Sequence, residues 1–332
     1  MELLSFSKTR TPRISSTAPA LPLDICTPGP FPIIYDSHAA APLDDVVDDQ
    51  VREWLRTPGS KLLLRIFGQS ARDPKNHAAI AAKIVMIFSK GFGEQEPLVA
   101  APLPIDETDP DARTATTFLL HGISERTMTA ALEMRILDSK DLSMQAMPLE
   151  LRNSPLVLLI KGFTTTRTEI IREVVDKKWR DEESSVGLTR IVVESATENI
   201  PLTVEHVTDF IDSVSIIRID MKGTGALLVP HFAVLTDPDT LPAPHFWFYL
   251  REHFQSLAYR SNMVGTGTIL PYLNCPLCHG CDHPRGLCPF PLVPGWQGEG
   301  IKPPSNPKSS KGRARPSGHG GKYEGPRKGK RD

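Results

Sequence analysis

The alternation of two hydrophobic spacings along the chain predicts a mixed α+β protein. Short apolar or alternating runs, typical of β-strands, occupy 61–68, 116–123, 141–149, 155–163, 189–196, 215–221, 225–235 and 265–270. Apolar residues at intervals of three or four positions, typical of amphipathic helices, occupy 48–57, 75–90, 124–136, 166–179, 201–213 and 245–261. The run at 155–163 is almost entirely apolar, which indicates a central strand buried on both faces.

Predicted strands and helices follow one another between positions 114 and 197 in the order β-α-β-β-α-β. This order defines the ferredoxin-like fold, which RRM domains also use. We therefore predict an α+β fold with one or two RRM-like units, the first at 114–197 and a second α+β unit at 198–272. The run at 189–196 could instead begin the second unit, the strand and helix at 61–90 could complete either sheet, and the run at 265–270 could be an edge strand.

Composition divides the rest of the chain. Residues 1–45 are rich in Pro and Ser and show no periodicity, which predicts a disordered N-terminus. Residues 46–113 form an α/β segment that ends in an acidic, Pro-rich linker. A cysteine-rich segment follows the second unit at 273–291, and a basic tail at 292–332 has too few apolar residues to bury a core, which again predicts disorder.

The charge of the chain is divided between an acidic body and a basic tail. Residues 302–332 contain ten Lys and Arg against two acidic residues, a net charge of +8. The preceding 301 residues contain 28 Lys and Arg against 37 acidic residues, a net charge of −9. Such a split indicates a tail that binds a polyanion by neutralising its phosphates. The candidate contact residues are Lys302, Lys308, Lys311, Arg313, Arg315, Lys322, Arg327, Lys328, Lys330 and Arg331.

Four of the five cysteines lie within the fourteen residues CPLCHGCDHPRGLC, at 275–288. Cys275, Cys278, His283 and Cys288 have the spacing C-x2-C-x4-H-x4-C, and three thiolates with one imidazole suit tetrahedral zinc. Four protein ligands leave no open coordination position, which predicts a structural zinc. Because so short a segment has no other means of folding, zinc would supply its folding free energy, on the order of 10–16 kcal/mol.

Two neighbouring residues offer alternative ligands for the same ion. His279 follows Cys278 directly, and Cys281 creates a local C-x2-C-x2-C pattern. Cys281 could replace one ligand or remain a spare thiol. We prefer the set that ends in Cys288 because a single wrap of the chain closes it.

This spacing resembles the zinc knuckle, the CCHC module of retroviral and retrotransposon nucleocapsid proteins. The order of RRM-like units, knuckle and basic tail is also similar to the gag-like first protein of non-LTR retrotransposons, relic or domesticated copies of which occur in fungi and plants. The resemblance implies a nucleic-acid-binding protein of nucleocapsid type. Pro276 and Pro284 stand where knuckles carry base-contacting side chains, and Asp282 stands where they carry glycine. A substitute surface could come from Leu277, Leu287, Phe290 or Trp296.

The RRM-like units lack the aromatic residues with which RNA-binding RRMs stack on bases. The sequences KGFG (90–93) and KGF (161–163) echo the RRM signature, but neither continues into the alternating aromatics of its third strand. Because the body is also acidic, we predict that these units serve protein contacts or self-association.

The chain contains no G-x-S-x-G, Walker loop, H-E-x-x-H or complete dinucleotide fingerprint, so neither an enzyme nor a small-molecule substrate is expected. No apolar run approaches the roughly 20 residues of a membrane span, and no signal-peptide pattern opens the chain. These features predict an intracellular protein, nuclear or cytoplasmic, that contacts no membrane.

The sequence therefore predicts a protein that binds single-stranded nucleic acid, RNA rather than DNA, through its zinc knuckle and its basic tail. The alternative is a zinc-stabilised adaptor that contacts other proteins and binds no nucleic acid.

Overall fold

Two five-stranded antiparallel sheets organise the residues that the computed structural model describes, namely 31–106, 108, 114–150, 152–223 and 227–300. The strands of the first sheet are β1 (Ser60–Ile66), β2 (Leu98–Ala100), β3 (Thr117–Ile123), β4 (Ile136–Asp138) and β5 (Ser143–Met147). The strands of the second sheet are β6 (Leu156–Lys161), β7 (Ser215–Lys222), β8 (Leu228–Leu235), β9 (Tyr259–Ser261) and β10 (Gly265–Leu270). The α-helices are α1 (Asp48–Arg56), α2 (His77–Phe92), α3 (Glu125–Met134), α4 (Thr168–Trp179), α5 (Glu182–Ser195), α6 (Val204–Asp212) and α7 (Pro244–Ser256).

Both sheets have the strand order of the ferredoxin-like fold. The first has the order β2-β3-β1-β5-β4, with β1 central and antiparallel to both β3 and β5. The chain visits it as β1-α2-β2-β3-α3-β4-β5, which is β-α-β-β-α-β with one short added strand, β4. The second sheet repeats this arrangement in the order β7-β8-β6-β10-β9, with β6 central and β9 as the added strand. The protein is therefore an α+β protein with two RRM-like units, at 60–147 and 156–270.

The α+β class and the RRM-like units are confirmed, but the predicted boundaries at 114–197 and 198–272 are wrong. The predicted first unit joins strands of the first sheet, β3 and β5, to β6 of the second. The strand and helix predicted at 61–90 begin the first unit, as β1 and α2, so much of 46–113 belongs to that unit. The strand predicted at an edge, 265–270, is β10 and lies between β6 and β9.

The strand predicted at 189–196 is also wrong, because this stretch belongs to α5. Its β-branched residues favour a strand, but Leu188, Ile191 and Val192 fall at helical spacing and pack in or against the core of the second unit. Asp181 caps the helix by accepting a hydrogen bond from the Ser184 N–H at 2.8 Å. A capped amphipathic helix of 14 residues thus overrides the local β propensity.

The outer face of the first sheet, opposite α2 and α3, is covered by the N-terminal part of the chain. Trp54 of α1 is buried in a cluster with Leu63 and Met147 of the sheet, which Leu43 also enters. The last part of the segment predicted to be disordered, 31–45, is therefore packed, and residues 1–30 lie outside the described residues. Because RRM domains place RNA on this face of the sheet, α1 occupies the surface that such binding would use.

Three aromatic residues lie at the centre of the second unit. Trp179 of α4 stacks on Phe254 of α7 with 3.9 Å between the ring centroids, and its indole N–H donates to the Tyr259 hydroxyl at 2.7 Å. The Tyr259 hydroxyl in turn donates to the Phe254 carbonyl at 2.7 Å. All three side chains are fully buried, so they tie α4, α7 and β9 into one core.

Gly162→Ala is expected to destabilise the second unit by about 1–3 kcal/mol. Gly162 follows β6 with a φ of 103°, and a Cβ atom there would lie 2.7 Å from the backbone oxygen of Thr266 in β10. The substitution therefore strains the backbone and forces β6 and β10 apart. Urea unfolding measures the effect against Gly300→Ala, where an added Cβ meets no atom within 4 Å. Equal stability of the two variants would contradict this close approach.

Candidate metal centre

The four residues predicted to hold zinc come together in the segment that follows β10. The ligand atoms of Cys275, Cys278, His283 and Cys288 all lie within 4.8 Å of one another, and all four residues are buried. The Cys278 sulfur lies 3.4 Å from His283 Nε2. Among the described residues, this group could hold a metal ion.

Tight turns bring the ligands into place. The His279 N–H donates to the Cys275 carbonyl at 2.8 Å, and the Cys275 N–H donates to the Gly280 carbonyl at 2.9 Å. The Gly280 N–H lies 3.4 Å from the Cys278 sulfur, so a backbone donor already points at one thiol. A short 3-10 turn at Arg285–Leu287 then carries the chain to Cys288. The short segments between the four residues thus form turns that bring their ligand atoms together.

Asp282 orients the imidazole of the group. Its carboxylate lies 2.8 Å from His283 Nδ1, which leaves Nε2 to face the thiols. A carboxylate partner behind a ligand histidine fixes the tautomer and the ring orientation in metal sites. In zinc knuckles this position is a glycine, so the resemblance did not predict that Asp282 would orient the imidazole. The adjacency of Asp282 to His283 in the sequence is the feature that could have indicated it.

The close contacts within the group shift the pKa values of its side chains in opposite directions. Hydrogen bonds from Cys278 and Cys288 hold the pKa of the Cys275 thiol well below its usual range, whereas hydrogen bonds with Cys275 and Cys288, together with burial, raise the pKa of the Cys278 thiol. Burial alone would lower the pKa of His283, but hydrogen bonds to Asp282 and to two of the thiols raise it to about 11. Thiols and an imidazole that share protons at such short range form a group in which a divalent cation could replace those protons.

The two alternative ligands face elsewhere. His279 Nε2 lies 2.7 Å from the Ile66 carbonyl, and burial together with the charge of Arg65 lowers its pKa to about 4. Cys281 stands outside the group, and burial together with Asp36 raises the pKa of its thiol to about 11. Both side chains are therefore neutral at pH 7 and engaged away from the four ligands.

The segment that carries the group, residues 271–300, packs into the first unit. The Gly68 N–H donates to the Leu277 carbonyl at 2.7 Å, directly after β1. Phe67 contacts Phe290 and Trp296, with ring centroids 4.9 and 5.4 Å apart, and Phe31 packs on the same rings. Three of the ligand cysteines share this apolar cluster. We call residues 271–300 the metal module; it is part of the core and not a knuckle on a linker.

The metal module also contacts the second sheet. Tyr272 donates from its hydroxyl to the Val157 carbonyl at 2.7 Å, and the Cys281 N–H donates to the Tyr35 carbonyl at 2.8 Å. Tyr35 is buried beside Leu159 of β6, with Tyr272, Leu273 and Cys281 packed around it. The module therefore joins the two RRM-like units, which no local sequence signal indicated.

This packing corrects two predictions. Three of the four side chains proposed as a base-stacking surface are used internally, since Leu277 and Phe290 are fully buried and Trp296 packs against Phe67, whereas Leu287 is half-buried. The module also extends beyond the predicted limit at 291, since the Gln297 N–H donates to Asp138 of β4 at 2.7 Å. The part of the predicted tail at 292–300 is thus folded. The ten predicted phosphate contacts, from Lys302 to Arg331, lie outside the described residues.

Comparisons with known protein families, with curated proteins and with solved structures found no match. No helix in the described ranges combines the length and the apolar composition that crossing a bilayer requires. The class that fold and site define is therefore an α+β protein with two RRM-like units and a C-terminal Cys3His group.

Proposed function

We propose that this chain is a zinc-stabilised protein that binds single-stranded nucleic acid, with a structural metal and a separate basic binding segment. The observation that supports the metal is the buried group Cys275, Cys278, His283 and Cys288. Three soft thiolates and one imidazole favour Zn²⁺ over the oxygen-seeking Mg²⁺ and Ca²⁺. When bound, zinc supplies a closed tetrahedral centre that links four points of the chain, and it offers no open position for catalysis.

The residues around the group support a structural role. Asp282 holds the His283 ring, the Gly280 N–H points at the Cys278 sulfur, and Phe290 lies in the same buried apolar cluster as the three cysteines. A metal ion that only stabilises the fold of the module needs no channel through which water or substrate could reach it. Because reduced thiols are required, a nuclear or cytoplasmic location fits this proposal.

Nucleic-acid binding is assigned to residues 302–332, not to the metal module. Two observations support this division. Leu277, Phe290 and Trp296 of the module are occupied in packing, and Pro276 and Pro284 offer no base-stacking ring. The outer face of the first sheet is covered by α1. The segment 302–332 carries a net charge of +8, which suits single-stranded RNA in the nucleocapsid-type role that the resemblance implies.

A salt titration on one labelled single-stranded RNA tests this assignment. The logarithm of the binding constant should fall linearly with the logarithm of salt, by roughly 0.7 for each phosphate contacted. Removing 302–332 should flatten this slope and weaken binding by at least about tenfold at low salt. The matched control removes 1–30, a segment of similar length with three basic and two acidic residues, and should change neither quantity. An unchanged slope without 302–332 would contradict the assignment.

The adaptor without nucleic-acid binding is the second candidate, and the buried stacking residues favour it. The same titration separates the two. An adaptor should bind no RNA at moderate salt with or without 302–332, while its metal content stays at one ion per chain.

A further inference from the structure

Strand β7 is the one long strand whose outer edge is unpaired among the described residues. It runs over eight residues, Ser215–Lys222, and forms one end of the second sheet. The other three sheet edges, β2, β4 and β9, are three residues long each. Short edge strands protect a sheet from pairing with further strands, whereas a long open edge is a template for such pairing.

The side chains of β7 divide into an apolar face and a charged face. Ile217, Ile219 and Met221 lie on the outer side of the sheet, where Ile217 is 38% exposed. Arg218 and Asp220 lie on the opposite side and form a bidentate ion pair, in which both nitrogen–oxygen distances are 2.8 Å. Apart from Lys222 at its end, the strand carries one cation and one anion, and these two residues lie symmetrically about Ile219.

This order is complementary to itself when a second copy runs antiparallel. If Ile219 of one copy lies opposite Ile219 of the other, Arg218 lies opposite the second Asp220, and Ile217 lies opposite the second Met221. Cross-strand pairs of opposite charge and of apolar residues are the stabilising ones in antiparallel sheets. A shift of two residues in either direction would place Arg218 opposite Arg218 or Asp220 opposite Asp220, which is unfavourable.

We infer that β7 is a homodimer interface, through which two copies of this chain join their second sheets edge to edge about a two-fold axis at Ile219. The two sheets then form one ten-stranded sheet, with the apolar stripe of Ile217, Ile219 and Met221 continuous across the junction. A closed two-fold contact of this kind uses the same patch on both copies and stops at two. The inference does not depend on metal or nucleic-acid binding.

Sedimentation velocity of the nuclease-treated full chain over a range of concentrations tests the interface. We expect a concentration-dependent dimer. Arg218→Asp and Asp220→Arg should each raise its dissociation constant by about tenfold, because each puts like charges opposite one another twice. The double variant Arg218→Asp/Asp220→Arg restores opposite charges and should dimerise like the original chain. Arg260→Asp, a charge reversal on β9 at the other edge, is the matched control and should have no effect.

Cysteine cross-linking gives a second readout that does not depend on the charge variants. Paired residues in an antiparallel sheet have Cα atoms about 4.5–5.5 Å apart, a distance that a disulfide spans. Ile219→Cys should therefore form a covalent dimer under mild oxidation, with the unsubstituted chain as the blank. Ile217→Cys should not, because its two copies would lie roughly 14 Å apart, four residues along the strand.

A chain that is monomeric at every concentration would overturn the inference. Arg218 and Asp220 would then only protect the edge strand from pairing with other strands. Equal cross-linking at positions 217 and 219 would overturn the two-fold register. A dimer that neither single charge reversal weakens would place the interface elsewhere.

Discussion

Cys288→Ser is expected to remove the metal from the purified protein and to abolish the cooperative unfolding of the metal module. A structural zinc contributes on the order of 10–16 kcal/mol to folding, which equals or exceeds the total stability of an ordinary domain, about 5–15 kcal/mol. Because the module packs on Phe67 and joins both RRM-like units, its loss should also lower the thermal transition of the remainder. Elemental analysis and scanning calorimetry of the same samples measure both effects.

Cys281→Ser is the matched control for this experiment. Cys281 lies only six residues from Cys275, but its thiol stands outside the group and is neutral at pH 7. We expect full metal content and a change in stability within about 1 kcal/mol. Loss of the metal in Cys281→Ser, or its full retention in Cys288→Ser, would show that the ligand set is wrong.

Trp179→Ala should cost about 3–5 kcal/mol of the stability of the second unit. The substitution leaves a cavity beside Phe254 and removes the hydrogen bond from the indole N–H to the Tyr259 hydroxyl. Both partners are fully buried, so no water replaces the lost contacts without cost. Urea unfolding measures the change, with Val193→Ala on α5 as the control, since Val193 is 65% exposed. A loss below about 1 kcal/mol would contradict a core organised by Trp179.

The helices and long strands could be predicted because their hydrophobic spacing is local. The runs at 61–68, 116–123 and 155–163 are β1, β3 and β6. Strand partners are decided by contacts between distant residues, so no local pattern joined β1 to β3 and β5. In two consecutive RRM-like units, the order of strands and helices repeats, so the order alone does not show where one unit begins. A unit counted from β3 combines strands of both sheets, and the structure contains no such unit.

Elements of three residues lie beyond this kind of prediction. The strands β2, β4 and β9 are too short to show any periodicity. The run at 189–196 is long enough to show periodicity, but it was predicted as a strand and is part of α5. There the helix cap at Asp181 outweighed the β propensity of the β-branched residues.

The clustering of the four candidate ligands could be predicted because four Cys and His residues within fourteen positions form a local pattern. What surrounds them could not. Phe31 lies in a Pro-rich segment without periodicity, and Phe67 follows a strand, yet both pack on Phe290 beside the ligands. Their contribution depends on tertiary packing between segments more than 200 residues apart.

X-ray absorption at the zinc edge of the purified full chain is the most direct test of a structural metal centre built by Cys275, Cys278, His283 and Cys288. The predicted result is one zinc per chain, with three sulfur ligands at about 2.3 Å and one nitrogen ligand at about 2.0 Å. The absence of stoichiometric zinc, a shell of four sulfurs, or an oxygen ligand at an open position would contradict it.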